Sequence, residues 1–291
     1  MKIATAAYPL DVLTSWAQYE DKLAHWVAEA AVQGAELLVF PEYAAMELAT
    51  LDGAEVAGDL ERSLISVSDK LEEADRLHVK LAAEHNVHIV AGSGPAATES
   101  RPVNRARLIT PTGQIGVQDK QIMTRFEREE WGVIGGNALQ VFDTAIGKIG
   151  ILICYDSEFP LLGRALAECD VICVPSVTET LAGYWRVRIG SMARALENQC
   201  ITAMSSVVGK ADWSEALGQS YGAGGIFCPP DRGFPPTGVL AVREVNAPGW
   251  TVADADLAQV AQVRADGIVL NRRDWQDQIG RDGKAINVAL R

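Results

Sequence analysis

The chain has no stretch of eighteen or more apolar residues, so no membrane-spanning helix is expected. It has no cluster of positive charge either. Its 26 Lys and Arg stand against 38 Asp and Glu, and a net charge of −12 argues against nucleic acid as a partner, because phosphate contacts need grouped cations. The five cysteines (Cys154, Cys169, Cys173, Cys200 and Cys228) are odd in number, scattered, and without a neighbouring His or second Cys pair. That excludes a disulfide framework and a zinc site, and it fits a reducing cytoplasm, the compartment expected here. The N-terminus "MKIATAAYPLDVLTSW" turns polar at Asp11 without a cleavage signal and reads as a first strand. Internal repeats, low-complexity tracts and Pro/Ser-rich linkers are absent from the 291 residues, so one domain is expected, with a core over about 1–245 and a tail over about 246–291.

What is present is an alternation of strand and helix patterns. "KIATAAY" is a strand; "SWAQYEDKLAHWVAEAAVQG" is a helix opened by a Ser15…Gln18 capping box and stopped at Gly34. "AELLVF" and "VHIVAGS" are strands around a long helical pattern over "LERSLISVSDKLEEADRLHVKLAAEHN". "RARLITPTGQIGVQDK" reads as a hairpin turning at Pro111-Thr112-Gly113, and "LQVFDTAIGKIGILIC" as a second one turning near 145–147. "PLLGRALAEC" and "GYWRVRIGSMARALENQ" are helical, with "DVICVPS" between them and "ITAMSSVV" after them as strands. Beyond about residue 210 the chain is rich in Gly and Pro and predicts loops, a strand pair and a tail. Strands separated by helices, with two hairpins inserted, predict mixed sheets. Several strands are apolar on both faces, so each sheet needs cover on both sides, as in two sheets face to face with helices outside.

Three stretches are candidates for chemistry. "GSGPAA" (92–97) has the G-x-G-x-x-A spacing of a dinucleotide turn, but "TESRPVNRARL" follows instead of the helix that would hold a pyrophosphate. No cofactor site is expected there. Of the four histidines, His25 and His78 fall within predicted helices, and His85 and His88 flank the start of a strand. None is placed to serve a cysteine as its base. The third candidate is "GILICYDSEF" (150–159), where a buried strand runs directly into Cys154. A free thiol has a pKa near ~8.5, so it needs a base to take its proton and a cation to favour the thiolate. Two other strand exits offer these groups: Glu42 in "LLVFPEY" and Lys120 in "GQIGVQDK".

Glu42 in "FPEY", Lys120 in "QDK" and Cys154 in "ICYD" resemble, in order and spacing, the Glu-Lys-Cys triad of the nitrilase superfamily, the carbon–nitrogen hydrolases. The resemblance extends from Met1 to about Leu240. It includes "VNRARLITPTGQIG" before the lysine and "RVRIGSMARALENQC" after the cysteine. "RFEREEWGVIGG" (125–136) resembles the loop that carries a second family glutamate; Glu129 takes that position, with Glu127 and Glu130 as rivals.

The resemblance implies an αββα sandwich, α/β with two mixed sheets flanked by helices, paired as an αββα–αββα homodimer or larger homo-oligomer through helices such as 183–198. It also implies hydrolysis of a small-molecule amide through a cysteine thioester without metal or cofactor. Glu42 would be the general base, Lys120 and the Tyr155 backbone N–H would stabilise the oxyanion, and Glu129 would steady Lys120. Tyr43, Tyr155, Thr178 and Glu179 would contribute to the pocket. The "CYD" triplet favours an amide over a nitrile, while Glu158 and Leu161 in "CYDSEFPLL" argue against a dicarboxylic monoamide. Nitrilase, N-carbamoyl hydrolase and acyl transferase are the competing activities on this fold. A catalytically inactive binding scaffold is the reading of another class.

Overall fold

The computed structural model describes residues 1–281, 283 and 285–290. The chain begins with β1 (Lys2–Pro9), α1 (Trp16–Val32), β2 (Leu37–Val39), a 3₁₀ segment (Ala44–Asp52), α2 (Ala54–Gly58) and α3 (Leu60–His85). Then come β3 (His88–Ala96), β4 (Val103–Ile109), β5 (Ile115–Asp119), a π-helical turn (Glu127–Trp131), β6 (Phe142–Thr144), β7 (Gly147–Ile151) and a 3₁₀ turn (Cys154–Glu158). The middle of the chain continues with α4 (Pro160–Ala165), β8 (Val171–Ser176), α5 (Leu181–Asn198), β9 (Ile201–Lys210) and β10 (Gln219–Ser220). It closes with β11 (Gly225–Phe227), β12 (Val239–Val242), β13 (Gly249–Asp254), α6 (Leu257–Asp266) and α7 (Asn271–Asp274), followed by a 3₁₀ turn (Trp275–Gln278).

The helix ends follow their local chemistry. Ser15 Oγ accepts Gln18 N at 3.4 Å, while Gln18 Oε1 reaches back to Thr14 N at 2.8 Å, so the expected box closes one residue earlier than written. The turn after α1 passes Gly34 at φ 80°, a conformation glycine adopts without steric cost. Asp59 caps α3 through Arg62 N at 2.7 Å, and Asn86 ends it in the left-handed region. Leu64, Val67, Leu71, Ala74, Leu77 and Leu81 form the buried stripe of α3, at the three- and four-residue spacing of one helix face.

Two mixed sheets meet at β1. Residues Ile3–Thr5 pair in parallel with β2, and Lys2–Ala7 pair antiparallel with β13. At its end β1 changes neighbour, and Ala7–Pro9 pair in parallel with Ser206–Val208 of β9. One sheet therefore runs β5-β4-β3-β2-β1-β13 and the other β6-β7-β8-β9-β11-β12, joined into one ladder where the ends of β1 and β9 touch. Strand periodicity divides the core. Ala4, Ala6 and Leu38 face α1 and α3, whereas Ile3, Leu37 and Val39 join the cluster that contains Ile149, Val171 and the α5 residues Tyr184 and Val187. The fold is the expected α/β arrangement of mixed sheet flanked by helices.

The segment expected as a tail contributes more than a tail. β13 returns to cover the edge of β1, and Trp250 packs against Trp26 and Phe40 with its indole N–H on the Trp26 carbonyl. A long-range strand of this kind has no local sequence signal, because its partner lies over two hundred residues away. Among the described residues, no helix is long and apolar enough to cross a membrane.

Candidate active site

The three expected residues stand just beyond three strands, Glu42 after β2, Lys120 after β5 and Cys154 after β7. Phe40 N still bonds to Val90 O at 2.9 Å, after which Pro41 and Glu42 leave the sheet. Tyr43 sits at φ 56°, held by its N–H on Ser93 Oγ at 3.0 Å. That sharp turn needs room: a Cβ at Gly92 would collide with Ala44 Cβ and the Pro41 carbonyl. The glycines of "GSGPAA" thus serve the close approach of the Glu42 turn. Lys120 is the first residue beyond β5, with its N–H on Asn104 O at 2.9 Å. Cys154 lies three residues past β7 at φ 50°. Tyr43 and Cys154, both non-glycine residues in the left-handed region, carry strain of the kind that collects at functional sites.

These turns bring Glu42, Lys120 and Cys154 into one buried cluster, each at most 4% exposed. Lys120 Nζ donates to Glu42 Oε1 at 2.7 Å and to Glu127 Oε2 at 2.6 Å. Val177 serves both remaining groups through its backbone. Its N–H donates to Glu42 Oε2 at 3.0 Å, and its carbonyl receives the Cys154 thiol at 3.6 Å. Asn104 Nδ2 bridges the two carboxylates, at 3.0 Å from Glu42 Oε1 and 3.4 Å from Glu127 Oε1. Tyr43 Oη completes the ring on Glu127 Oε1 at 2.8 Å.

The fourth member of the cluster is therefore Glu127, and the register expected from the loop is shifted by two. Glu129 is 54% exposed and pairs with Arg125 at 2.8 Å on the surface, and Glu130 is exposed as well. The physical reason lies in the turn. Glu127 and Trp131 share its buried side, whereas Arg125 and Glu129 form a solvated pair four residues apart. The one sequence trace of this register is the four-residue spacing between Glu127 and Trp131, which does not by itself fix the direction of the turn.

The electrostatics of the cluster separate the roles of its groups. Burial pushes Glu42 up, an effect the Lys120 charge only partly offsets and the Glu127 charge reinforces. Burial also disfavours the ammonium of Lys120, but Glu127 and Glu42 outweigh it and hold the lysine charged well above its usual range. Glu127 is lowered overall: Lys120, the Thr124 amide and Tyr43 overcome its burial. Burial and the Glu42 charge drive the Cys154 thiol far up, with Lys120 pulling the other way. With two carboxylates and one ammonium already enclosed, a thiolate would bring the cluster to a net −2, so the resting sulfur keeps its proton.

The cluster opens on a cavity of about 320 Å³. Tyr43, Tyr155, Thr178 and Glu179 all line it, as expected, and so do Glu158 and Arg186 near its mouth. Thr178 Oγ1 is engaged with the Tyr221 carbonyl at 2.7 Å, tying the wall to a neighbouring loop, and Glu179 is exposed at the rim. No histidine lines this cavity; His78 is packed against Phe40 with its ring held low, at about 4, by burial. A larger open cleft of about 560 Å³, beside Met1, Glu36 and Asp256, lies at the opposite ends of the strands and contains none of the cluster. Sequence reasoning also left Asn104 and Asp156 unassigned and did not foresee the backbone contacts of Val177, since these contributions are contacts between distant segments.

Comparison with known proteins identifies the family. The carbon–nitrogen hydrolase family model matches residues 2–225. The chain belongs to the carbon–nitrogen hydrolase family. It is 32% identical over 282 residues to the probable hydrolase YhcX of Bacillus subtilis (strain 168), covering 96% of this chain but 54% of that protein, so it spans about half the length of this relative. It is 28% identical over 278 residues to nitrilase 3 of Arabidopsis thaliana, covering 84% of this chain and 75% of that protein. With omega-amidase YafV of Escherichia coli (strain K12) the identity is 28% over 191 residues, covering 65% of this chain and 66% of that protein. Among solved structures, Nit3 of Saccharomyces cerevisiae, a nitrilase-superfamily member, superposes with a TM-score of 0.70 at 19% identity, covering 91% of this chain and 93% of that one. An amidase from Nesterenkonia sp. AN1, bearing acrylamide on its active-site cysteine, superposes with a TM-score of 0.68 at 21% identity, covering 97% and 99%. These two establish likeness of fold.

Proposed function

We propose that the chain hydrolyses a small-molecule amide to a carboxylic acid and ammonia through a thioester on Cys154, with Glu42, Lys120 and Glu127 as its partners. The observation that carries this reading is one buried ammonium held between two carboxylates, beside a buried thiol, at the floor of a cavity of about 320 Å³. The omega-amidase relative supports an amide as the substrate class.

Glu42 is the general base: raised by burial yet ionised beside Lys120, it accepts the thiol proton as sulfur bonds to the amide carbon. The electron pair of the C=O moves onto oxygen, where the Lys120 ammonium and the Tyr155 backbone N–H offset the new charge. Collapse of this intermediate breaks the C–N bond, and Glu42 returns its proton to the departing ammonia. Water then gives a proton to Glu42 and adds to the thioester carbon; the C–S bond breaks and the sulfur regains the proton. Glu127 holds Lys120 in place and stays ionised throughout.

A nitrile is the second substrate reading, favoured by the similarity to nitrilase 3. Ammonia release from a panel of small amides and nitriles, with wild type and Cys154→Ala in parallel, separates these outcomes. Turnover of amides that vanishes in the variant supports the proposal; turnover of nitriles alone shifts the substrate class, and hydrolysis by the variant removes the mechanism.

A further inference from the structure

Asp156 stands two residues beyond Cys154, is 1% exposed, and has no place in the reaction described above. Its carboxylate accepts the two backbone amides that follow Lys120. Gln121 N lies 3.2 Å from Oδ1 and 3.1 Å from Oδ2, and Ile122 N lies 2.9 Å from Oδ1. The β4–β5 ladder ends at the Arg105–Asp119 pair, so these amides belong to a turn that has left the sheet. Without a strand partner, they find their acceptor on the turn of the nucleophile.

We infer that Asp156 is a positioning residue that sets where the Lys120 turn stands relative to the Cys154 turn. This rests on the reading that Lys120 and Cys154 carry the chemistry.

Both sides of the link are anchored elsewhere. On the nucleophile side, Ser157 Oγ donates to Cys154 O at 2.6 Å, and Arg194 of α5 donates to Ser157 O at 2.9 Å. Gly190 lets α5 approach that carbonyl, which a Cβ there would meet at 2.8 Å. On the lysine side, Asp119 binds Arg105 through two hydrogen bonds of 2.6 and 3.0 Å. Asp156 joins these two anchored segments. The effect reaches Glu127 as well, because Thr124, two residues past the clamped amides, donates to Glu127 Oε2 through both its N–H and its hydroxyl at 2.9 Å. A slack turn would therefore shift the ammonium and its carboxylate brace together, and a misplacement of about 1 Å is enough to lower a rate on the order of 10²-fold.

Asp156→Asn keeps the shape but presents an N–H₂ where an amide N–H needs an acceptor. Turnover of the best amide of the panel is measured per site, with sites counted by iodoacetamide labelling of Cys154. The expected result is a kcat lowered about tenfold or more with KM changed less than about threefold. Asp156→Ser, whose shorter hydroxyl can accept at most one amide, serves if the Asn variant does not fold, and its kcat is likewise expected to fall about tenfold or more with KM changed less than about threefold. A purely structural role would lower the folded, labelled fraction and leave kcat per site at the wild-type value; that outcome in either variant overturns the inference. Hydrolysis by Cys154→Ala in the same assay would instead bring down the thioester reading itself, so the two failures are distinguishable.

Discussion

Lys120 Nζ lies 2.6 Å from Glu127 Oε2, and neither side chain is more than 3% exposed. Neutralising Glu127 removes one of the two carboxylates that hold Lys120, while Glu42 still pairs with it at 2.7 Å, so the stability loss is expected to stay below the roughly 3–5 kcal/mol of a fully orphaned buried charge. Glu127→Gln is therefore expected to lower turnover on the order of 10²-fold and to lower the melting temperature. The same change at Glu129 or Glu130, both solvated, leaves each within about twofold of wild type. Parallel kinetics of the three variants check this; a large loss at Glu129 alone would contradict the assignment.

Cys154→Ala is expected to abolish amide turnover while the fold persists, because it removes the nucleophile and little volume. The other four cysteines are buried and none of them lines the cavity, whereas Cys154 lines it beside Glu42, which can take its proton. Labelling of the native protein with iodoacetamide should thus reach one thiol, located by peptide mass. Incorporation at several sites, or none at Cys154, would count against an activated nucleophile.

Lys120→Gln is expected to reduce kcat by roughly 10²–10³ and to leave KM nearly unchanged, since the ammonium acts on charge that develops in the transition state. The discriminating measurement is steady-state kinetics on a single amide. A raised KM with intact kcat would make Lys120 a substrate anchor.

Asp156 gives stability a definite pH dependence. Burial, only partly countered by Lys120 and the Gln121 and Ile122 amides, raises its carboxyl from 3.8 to about 7. Between those values the folded chain holds a proton that the unfolded chain has released. This group's contribution is therefore fully present below the unfolded value and is lost as pH rises toward about 7. The limiting slope is about −1.4 kcal/mol per pH unit. Urea melts of wild type and Asp156→Asn at about pH 5 and about pH 8 isolate it: the stability of wild type relative to the variant should fall with pH. A difference independent of pH would show an Asp156 that stays ionised.

Self-association is expected through α5. Leu181, Trp185, Ile189 and Leu196 are 40–62% exposed and spaced so that they share one side of the helix, more apolar surface than an isolated face accounts for. Light scattering should give a dimer or larger mass for wild type and a monomer for Ile189→Asp. A monomeric wild type with full activity would remove this expectation.

Much of the site was legible because it is written in short, strongly patterned stretches. Glu42, Lys120 and Cys154 each follow a run of strand-forming residues. A strand exit is where an α/β sheet presents its functional groups, so position along the chain already implied position in space. The paired sheets and outer helices followed from strands apolar on both faces and from helical patterns with a cap such as Ser15, which acts over three residues. Other features needed the folded chain. Whether Glu127 or Glu129 faces inward depends on a single turn whose direction is set by Trp131 packing against Tyr43. The bridging of Glu42 and Glu127 by Asn104, the double contact of Val177 and the clamp of Asp156 join segments 23 to 135 residues apart. β13 likewise finds its place only because the edge of β1 is open to it. Local patterns determined which groups the chain offers at its strand ends; the closing of distant turns on one another decided which of them touch, because hydrogen-bond geometry and burial are properties of the packed whole.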